Sequence, residues 1–170
     1  MKVILIQGKA NTGKTTLCNR IDEWLQRYIF QDIPIVERIE MTKHYSKRGD
    51  FLAVYDIFCQ TKTKITKRIL INSGSEKDCI TPFEKFYKNK DQKGISYYKK
   101  DISIDLLITA IHPSKEKGNN YDKIRNILGK DLIEKAKKIE TESFGIRNKI
   151  RSQEVSSYVE ILEEIKGIFS

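Results

Sequence analysis

A short apolar run, Lys2 to Gln7 with Val3-Ile4-Leu5-Ile6 at its centre, leads directly into Gly8-Lys-Ala-Asn-Thr-Gly13-Lys14-Thr15. From Lys14 to about Tyr28 the apolar residues Leu17, Ile21, Trp24, Leu25 and Tyr28 then recur at helical spacing. This order constrains the fold, because so apolar a run belongs to a strand buried on both faces of a mostly parallel sheet, with helices covering those faces. Gly8 and Gly13 allow backbone angles and a close approach that side chains forbid, so successive N–H groups of the bend can point into one concavity. Such a concavity at a helix N-terminus attracts anions, since the helix dipole adds to its unsatisfied donors.

The bend matches G-x-x-x-x-G-K-[ST] in the strand-to-helix context that the pattern requires. Lys14 is a point charge suited to β/γ-phosphate oxygens, the Thr15 hydroxyl suits Mg²⁺, and Thr16 is expected on the α-phosphate side. Residues 1 to about 30, under a fifth of the chain, thus resemble the Walker A unit of the P-loop nucleoside triphosphate hydrolase and kinase superfamily. The resemblance implies ATP or GTP with Mg²⁺ as the ligand. It makes Gly8, Asn11, Thr12, Gly13, Lys14, Thr15 and Thr16 the nucleotide-binding candidates, with Thr15 on the metal.

Beyond the bend, Ile33 to Ile39 is expected as a second strand, and Phe51 to Phe58 and Arg68 to Asn72 as two more. The polar stretch Cys59 to Lys67 between the last two has nine residues. That is too short for a helical crossover, so the pair should form an antiparallel hairpin. Thr81 to Tyr87 reads as a helix with Pro82 in its first turn, and Ile104 to Ile111 as another buried strand. Two helices, Tyr121 to Leu128 and Lys130 to Thr141, are expected on either side of Gly129. A last one over Ser152 to Ile168 would place Val155, Val159, Leu162, Ile165 and Phe169 on one side, with Ser152 as a capping residue. No repeat or linker divides the chain. The expectation is one α/β domain over residues 1–170, a three-layer P-loop NTPase fold with a mostly parallel sheet, an antiparallel hairpin at about 51–72 and a helical C-terminal third.

Enzymes of this superfamily usually set an acidic residue at a neighbouring strand end to organise Mg²⁺ and its water. Two catalytic candidates accompany Lys14 here, Asp50 and Asp56, and strand direction decides between them. If Arg68 to Asn72 runs parallel to the first strand, Asn72-Ser-Gly-Ser75 and Asp50 reach the phosphate edge and Asp56 is carried away. If the 51–58 strand is the parallel one, Asp56 reaches it. The first assignment is preferred, because Asn-Ser-Gly-Ser after an apolar strand suits a ligand approaching the backbone at a sheet's carboxyl end.

The second strand, if parallel, delivers Glu37, Arg38 or Glu40 to the same edge, and the loop Thr42 to Arg48 would suit an acceptor's phosphate. His44 and His112 read as a surface residue and a residue following a strand. Ile111 to Asn120 suits a lid, with Lys115, Lys117 and Arg125 available to charge developing on a phosphoryl group.

The net charge is +9, and residues 41–100 carry 14 Lys/Arg against 6 Asp/Glu, or +8 of it. A basic middle suits a phosphate-bearing partner. Lys62, Lys64, Lys67 and Arg68, with Lys99-Lys100 beside Tyr97-Tyr98, would serve a nucleic acid, although no nucleic-acid fold signature accompanies them. Cys18, Cys59 and Cys79 have neither disulfide-scaffold nor zinc spacing, and no early apolar run is long enough for a signal peptide or membrane span. These features point to a cytoplasmic protein without a membrane segment.

The leading functional expectation is transfer of the γ-phosphoryl of ATP to a nucleotide or other small acceptor. The alternative is a regulatory or partner-coupled ATPase that releases free phosphate, in one variant associated with nucleic acid. A regulatory GTPase fits less well: Thr109-Ala-Ile-His112 stands where an Asn/Thr-Lys-x-Asp element would follow a late strand, and Asp91-Gln-Lys-Gly94 matches D-x-x-G by letter only.

Overall fold

The computed structural model describes residues 1–28, 36–42, 49–58, 65–75, 77–88, 103–113, 121–141 and 150–169. Six strands, β1 (Lys2–Gln7), β2 (Val36–Thr42), β3 (Leu52–Phe58), β4 (Ile65–Asn72), β5 (Leu106–Ile111) and β6 (Lys137–Glu140), form one sheet in the order β2-β3-β4-β5-β1-β6. β4, β5, β1 and β6 are mutually parallel, and β3 runs antiparallel to both β2 and β4. The hairpin is therefore β3–β4 with Leu52 opposite Asn72, as the short connection requires.

Both faces of the sheet are covered, which gives three layers. On one face Ile4, Ile6, Tyr55, Ile69 and Ile108 pack against Leu17, Cys18, Ile21 and Leu25 of α1 (Lys14–Tyr28) and Ile161, Leu162, Ile165 and Ile168 of α5 (Ile150–Phe169). On the other, Val3, Leu5, Leu70 and Leu107 meet Ile80, Phe83 and Phe86 of α2 (Lys77–Tyr87), Ile124 and Ile127 of α3 (Tyr121–Leu128) and Ile133 of α4 (Lys130–Glu134). The alternation along β1 explains why its sequence is apolar without a break: successive side chains enter opposite cores.

Five expectations need correction. The segment Lys130 to Thr141 is not one helix: α4 ends at Glu134, and Lys137–Glu140 extends the sheet as β6, parallel to β1. Local helix propensity yields there to an available strand edge and to burial of Ile139. Lys137 secures this edge strand to α5 through Glu160 and Glu164, each at 3.0 Å, and this contact holds the Glu164 carboxyl below its ordinary range. Next, α2 begins at Lys77, so Pro82 lies inside the helix rather than in its first turn. Cys79, Ile80, Phe83 and Phe86 form the buried stripe that draws the helix back past the proline.

Along α5, Ile161, Leu162, Ile165 and Ile168 are buried, whereas Val155 and Val159 are 53% and 48% exposed and lie off that stripe. The helix also starts at Ile150, so Ser152 falls within it and is not its preceding cap. The second strand, Val36–Thr42 among the described residues, also runs on beyond the expected end at Ile39, while residues 33–35 lie outside the described ones. Among the described residues no helix is long and apolar enough to cross a membrane.

At the end of the sheet opposite the first loop, the Arg68 guanidinium reaches both carboxylate oxygens of Asp56, Nε at 2.5 Å and Nη2 at 2.7 Å. Both side chains are essentially sealed from solvent, at 0% and 1% exposure. Removing one partner leaves the other charge buried, at a cost of about 3–5 kcal/mol. Asp56→Asn is expected to lower the unfolding free energy in urea by that order, and an unchanged midpoint would contradict the pairing.

Candidate functional site

The carboxyl ends of β1, β4 and β5 and the start of β3 meet at one edge of the sheet, the usual location of ligand sites in open α/β folds. The loop after β1 is seated there by hydrogen bonds. Gly8 N–H donates to Ile111 O at 3.2 Å, and Thr141 N–H donates to Gln7 O at 2.8 Å, extending the pairing of β1 with both neighbours by a residue. The Thr12 and Thr141 hydroxyls lie 2.6 Å apart, Thr12 Oγ1 donates to Lys9 O at 2.9 Å, and Thr141 Oγ1 donates to Gln7 O at 3.1 Å. Gly8 is required by this packing: a Cβ there would come within 2.0 Å of Thr141 Oγ1 and 2.4 Å of Thr12 Oγ1. The loop then turns with Asn11 at φ 63° and Gly13 at φ 91°, both left-handed backbone angles.

α1 starts at Lys14 with no acidic residue in its first turn, so its positive end is not compensated by its own carboxylates. The Lys14 side chain is only 6% exposed and curls over the loop, with Nζ donating to Gly8 O at 2.7 Å and to Lys9 O at 2.5 Å. Thr15 Oγ1 donates to Asp50 Oδ1 at 2.7 Å and also faces Ser73 O at 3.5 Å. A cavity of about 560 Å³ opens in front of these groups, lined by residues 10–16 together with Asp50, Ser75 and His112.

The direction of β3 divides the two acidic candidates. Asp50, 6% exposed, enters the site, while Asp56 sits at the far end of the strand in its pair with Arg68 and does not. β4 is the strand parallel to β1, with β5 between them, and Asn72 ends it at this edge. Its Nδ2 donates to Gly74 O at 3.0 Å and Thr109 Oγ1 at 2.9 Å, fixing the turn into α2, while Oδ1 is buried with no hydrogen-bond partner among the described residues. Ser73 accepts from Phe51 N–H through Oγ at 2.7 Å and donates its own N–H to Phe51 O at 3.0 Å. The turn after β4 and the approach to β3 are thereby locked together, which positions Asp50.

Gly8, Asn11, Thr12, Gly13, Lys14, Thr15 and Thr16 are all brought together, and all but Gly8 line the cavity. Cys18, one turn beyond Lys14, is fully buried, and that burial, then the charges of Asp50 and Asp22, push its thiol far above the ordinary range. Among the described residues, no group of three or more His, Cys, Asp or Glu side chains converges as a metal cluster.

Sequence reasoning placed Ser75 and the segment after β5 at this edge, and passed over Cys79, Thr141 and the part that His112 itself takes in the lining. Thr141 belongs to the site only because β6 exists. Cys79 enters through the early start of α2, Ser75 through the turn after β4, and His112 directly after β5. The candidates His44, Lys62, Lys64, Tyr97, Tyr98, Lys99, Lys100, Lys115, Lys117, residues 43–48 of the acceptor loop and 114–120 of the lid, and Asp91-Gln-Lys-Gly94 lie outside the described residues. Arg125 lies on α3, and the β2 residues Glu37, Arg38 and Glu40 are described by backbone alone.

No family model matches the chain, and no curated protein or solved structure is significantly similar to it.

The loop's packing yields a paired prediction. Gly8→Ala forces the methyl group against the Thr12 and Thr141 hydroxyls and is expected to lower the thermal midpoint. Gly167→Ala, inside α5 with nothing within 4 Å of the added carbon, is expected to raise it. Equal shifts for the two would refute the close approach at Gly8.

Proposed function

We propose that the protein binds ATP or GTP with Mg²⁺ in the cavity of its first loop and transfers the γ-phosphoryl group to a nucleotide or similar small acceptor. On this reading the chain is a small P-loop kinase with the three-layer P-loop NTPase fold, working in the reducing cytoplasm that suits its buried free Cys18 and Cys79. The observation that carries the reading is the 2.7 Å bond between Thr15 of the loop and Asp50 of the segment leading into β3. A hydroxyl and a carboxylate held together beside an amide-lined, lysine-bearing concavity have the donor set expected for a magnesium–triphosphate tail.

Hard oxygen donors fit Mg²⁺: Thr15 Oγ1 and Asp50 would hold it, and its remaining positions suit phosphate oxygens and water. When bound it supplies charge neutralisation on the β- and γ-phosphates. The chain's own residues do the rest. Inner amides of residues 9–16 bind the triphosphate oxygens at the N-terminus of α1. Lys14, already held at the loop's mouth by two carbonyls, directs its charge to the β/γ bridge. Asp50 orients the Thr15 hydroxyl by accepting its proton in a hydrogen bond.

The wall formed by Asp50, Ser75 and His112 leaves room beyond the loop for an acceptor. An acceptor oxygen forms the new bond to the γ-phosphorus as the bond to the β-phosphate oxygen breaks, with the electron pair leaving on that oxygen. A phosphate-bearing acceptor attacks as an anion and needs no base, which suits a site that works by positioning and electrostatics.

The test is incubation with γ-labelled ATP and Mg²⁺ against a panel of nucleosides and nucleotides. Label is expected in an acceptor. Lys14→Ala should lower the transfer rate by about 10²-fold or more, the scale seen when a charge-stabilising group is removed. Asp50→Asn should impair transfer, whereas folded Asp56→Asn should not. Label appearing only as free phosphate across the panel would overturn the kinase reading in favour of a hydrolase.

A further inference from the structure

The Asp50 carboxylate is held by both of its oxygens. Oδ1 accepts from the Thr15 hydroxyl at 2.7 Å, while Oδ2 accepts from the Cys79 thiol at 3.7 Å. The sulfur is placed with little latitude. Cys79 is fully buried on the first turn of α2, a helix anchored by Ile80, Phe83 and Phe86 in the core beneath the sheet. Gly74 lies so close that a Cβ on it would come within 2.2 Å of Cys79 Sγ and 3.3 Å of Asp50 Cβ. Asn72 fixes that glycine in turn through its bond to Gly74 O. Thus the end of β4, the start of α2 and the approach to β3 converge on one carboxylate oxygen, the one facing away from Thr15.

Resting on the magnesium–nucleotide reading above, the geometry points to Cys79 as the residue that determines which divalent cation the site accepts. A carboxylate free to rotate can offer both oxygens to a cation, a grip that Ca²⁺ takes readily with its six to eight flexible ligands. Mg²⁺ demands a near-ideal octahedron and is served by single oxygens. The thiol keeps Oδ2 engaged and turned from the loop, which leaves Oδ1 as the oxygen on the cation's side. Cys79 touches neither nucleotide nor cation; it is a positioning residue that acts through Asp50.

The inference is tested with wild type, Cys79→Ser and Cys79→Ala, measuring ATP binding by calorimetry with Mg²⁺ or Ca²⁺ and taking the ratio of the two apparent affinities. The hydroxyl of Cys79→Ser replaces the donor and is expected to keep the preference for Mg²⁺. Cys79→Ala is expected to lose it by roughly tenfold, on the scale of one hydrogen bond to a charged group. A general loss of packing would weaken both affinities and leave the ratio in place, so a wild-type ratio in Cys79→Ala overturns the inference.

An independent readout is the infrared S–H stretch of Cys79 in the wild-type protein, assigned by its disappearance in Cys79→Ser. It should shift when ATP and Mg²⁺ are added, since the accepting carboxylate then faces a cation. A stationary band overturns the inference even where the alanine variant does not fold. Absence of ATP binding by wild type with either cation is a separate result, and it removes the magnesium–nucleotide reading itself.

Discussion

Because β3 runs against β4, the residues that lead into it, rather than those that end it, arrive at the edge where β1, β4 and β5 finish. That reversal brings Asp50 to the Thr15 hydroxyl and sends Asp56 to the opposite end of the sheet, where Arg68 neutralises it. β3 and the residues leading into it therefore set a carboxylate at each end, and their surroundings differ in kind. Asp56 is closed off with a bidentate cation, while Asp50 faces a cavity and is oriented by hydrogen bonds to a hydroxyl and a thiol. The first is an element of stability, and the second borders the cavity.

The loop after β1 depends on neighbours on both sides. Strand β5 accepts the Gly8 amide through Ile111, and the residue after β6 caps Gln7 and meets Thr12 through its hydroxyl. Within the loop, Thr12 and Lys14 add side-chain hydrogen bonds to the carbonyls of Lys9 and Gly8. The same seating explains why Gly8 is needed for space, whereas Gly13 is needed for its backbone angle.

The legible parts of the fold were those specified by local order. The strand, bend and helix at the start are read from contiguous residues, and the β3–β4 hairpin follows from the length of one connection. Choosing between Asp50 and Asp56 required strand direction, which composition near Asn72 indicated and the sheet's pairing supplied. What local order does not encode was missed. Residues 137–140 carry a helix-favouring composition and become a strand because β1 has a free edge beside them. Val155 and Val159 share helical spacing with buried residues, yet α5 docks through a neighbouring column, with Ile161 and Ile165 inward. Cys79 gained its role from a helix that starts ahead of an apparent proline boundary.

In the proposed function, the loop of residues 8–16 grips a triphosphate by its amides and Lys14. Calorimetric titration of the protein with ATP and GTP in the presence of Mg²⁺ tests this most directly. Saturable heat with at least one of them, abolished in folded Lys14→Ala, is the predicted result; no heat from either nucleotide, or equal affinity in the variant, would contradict it.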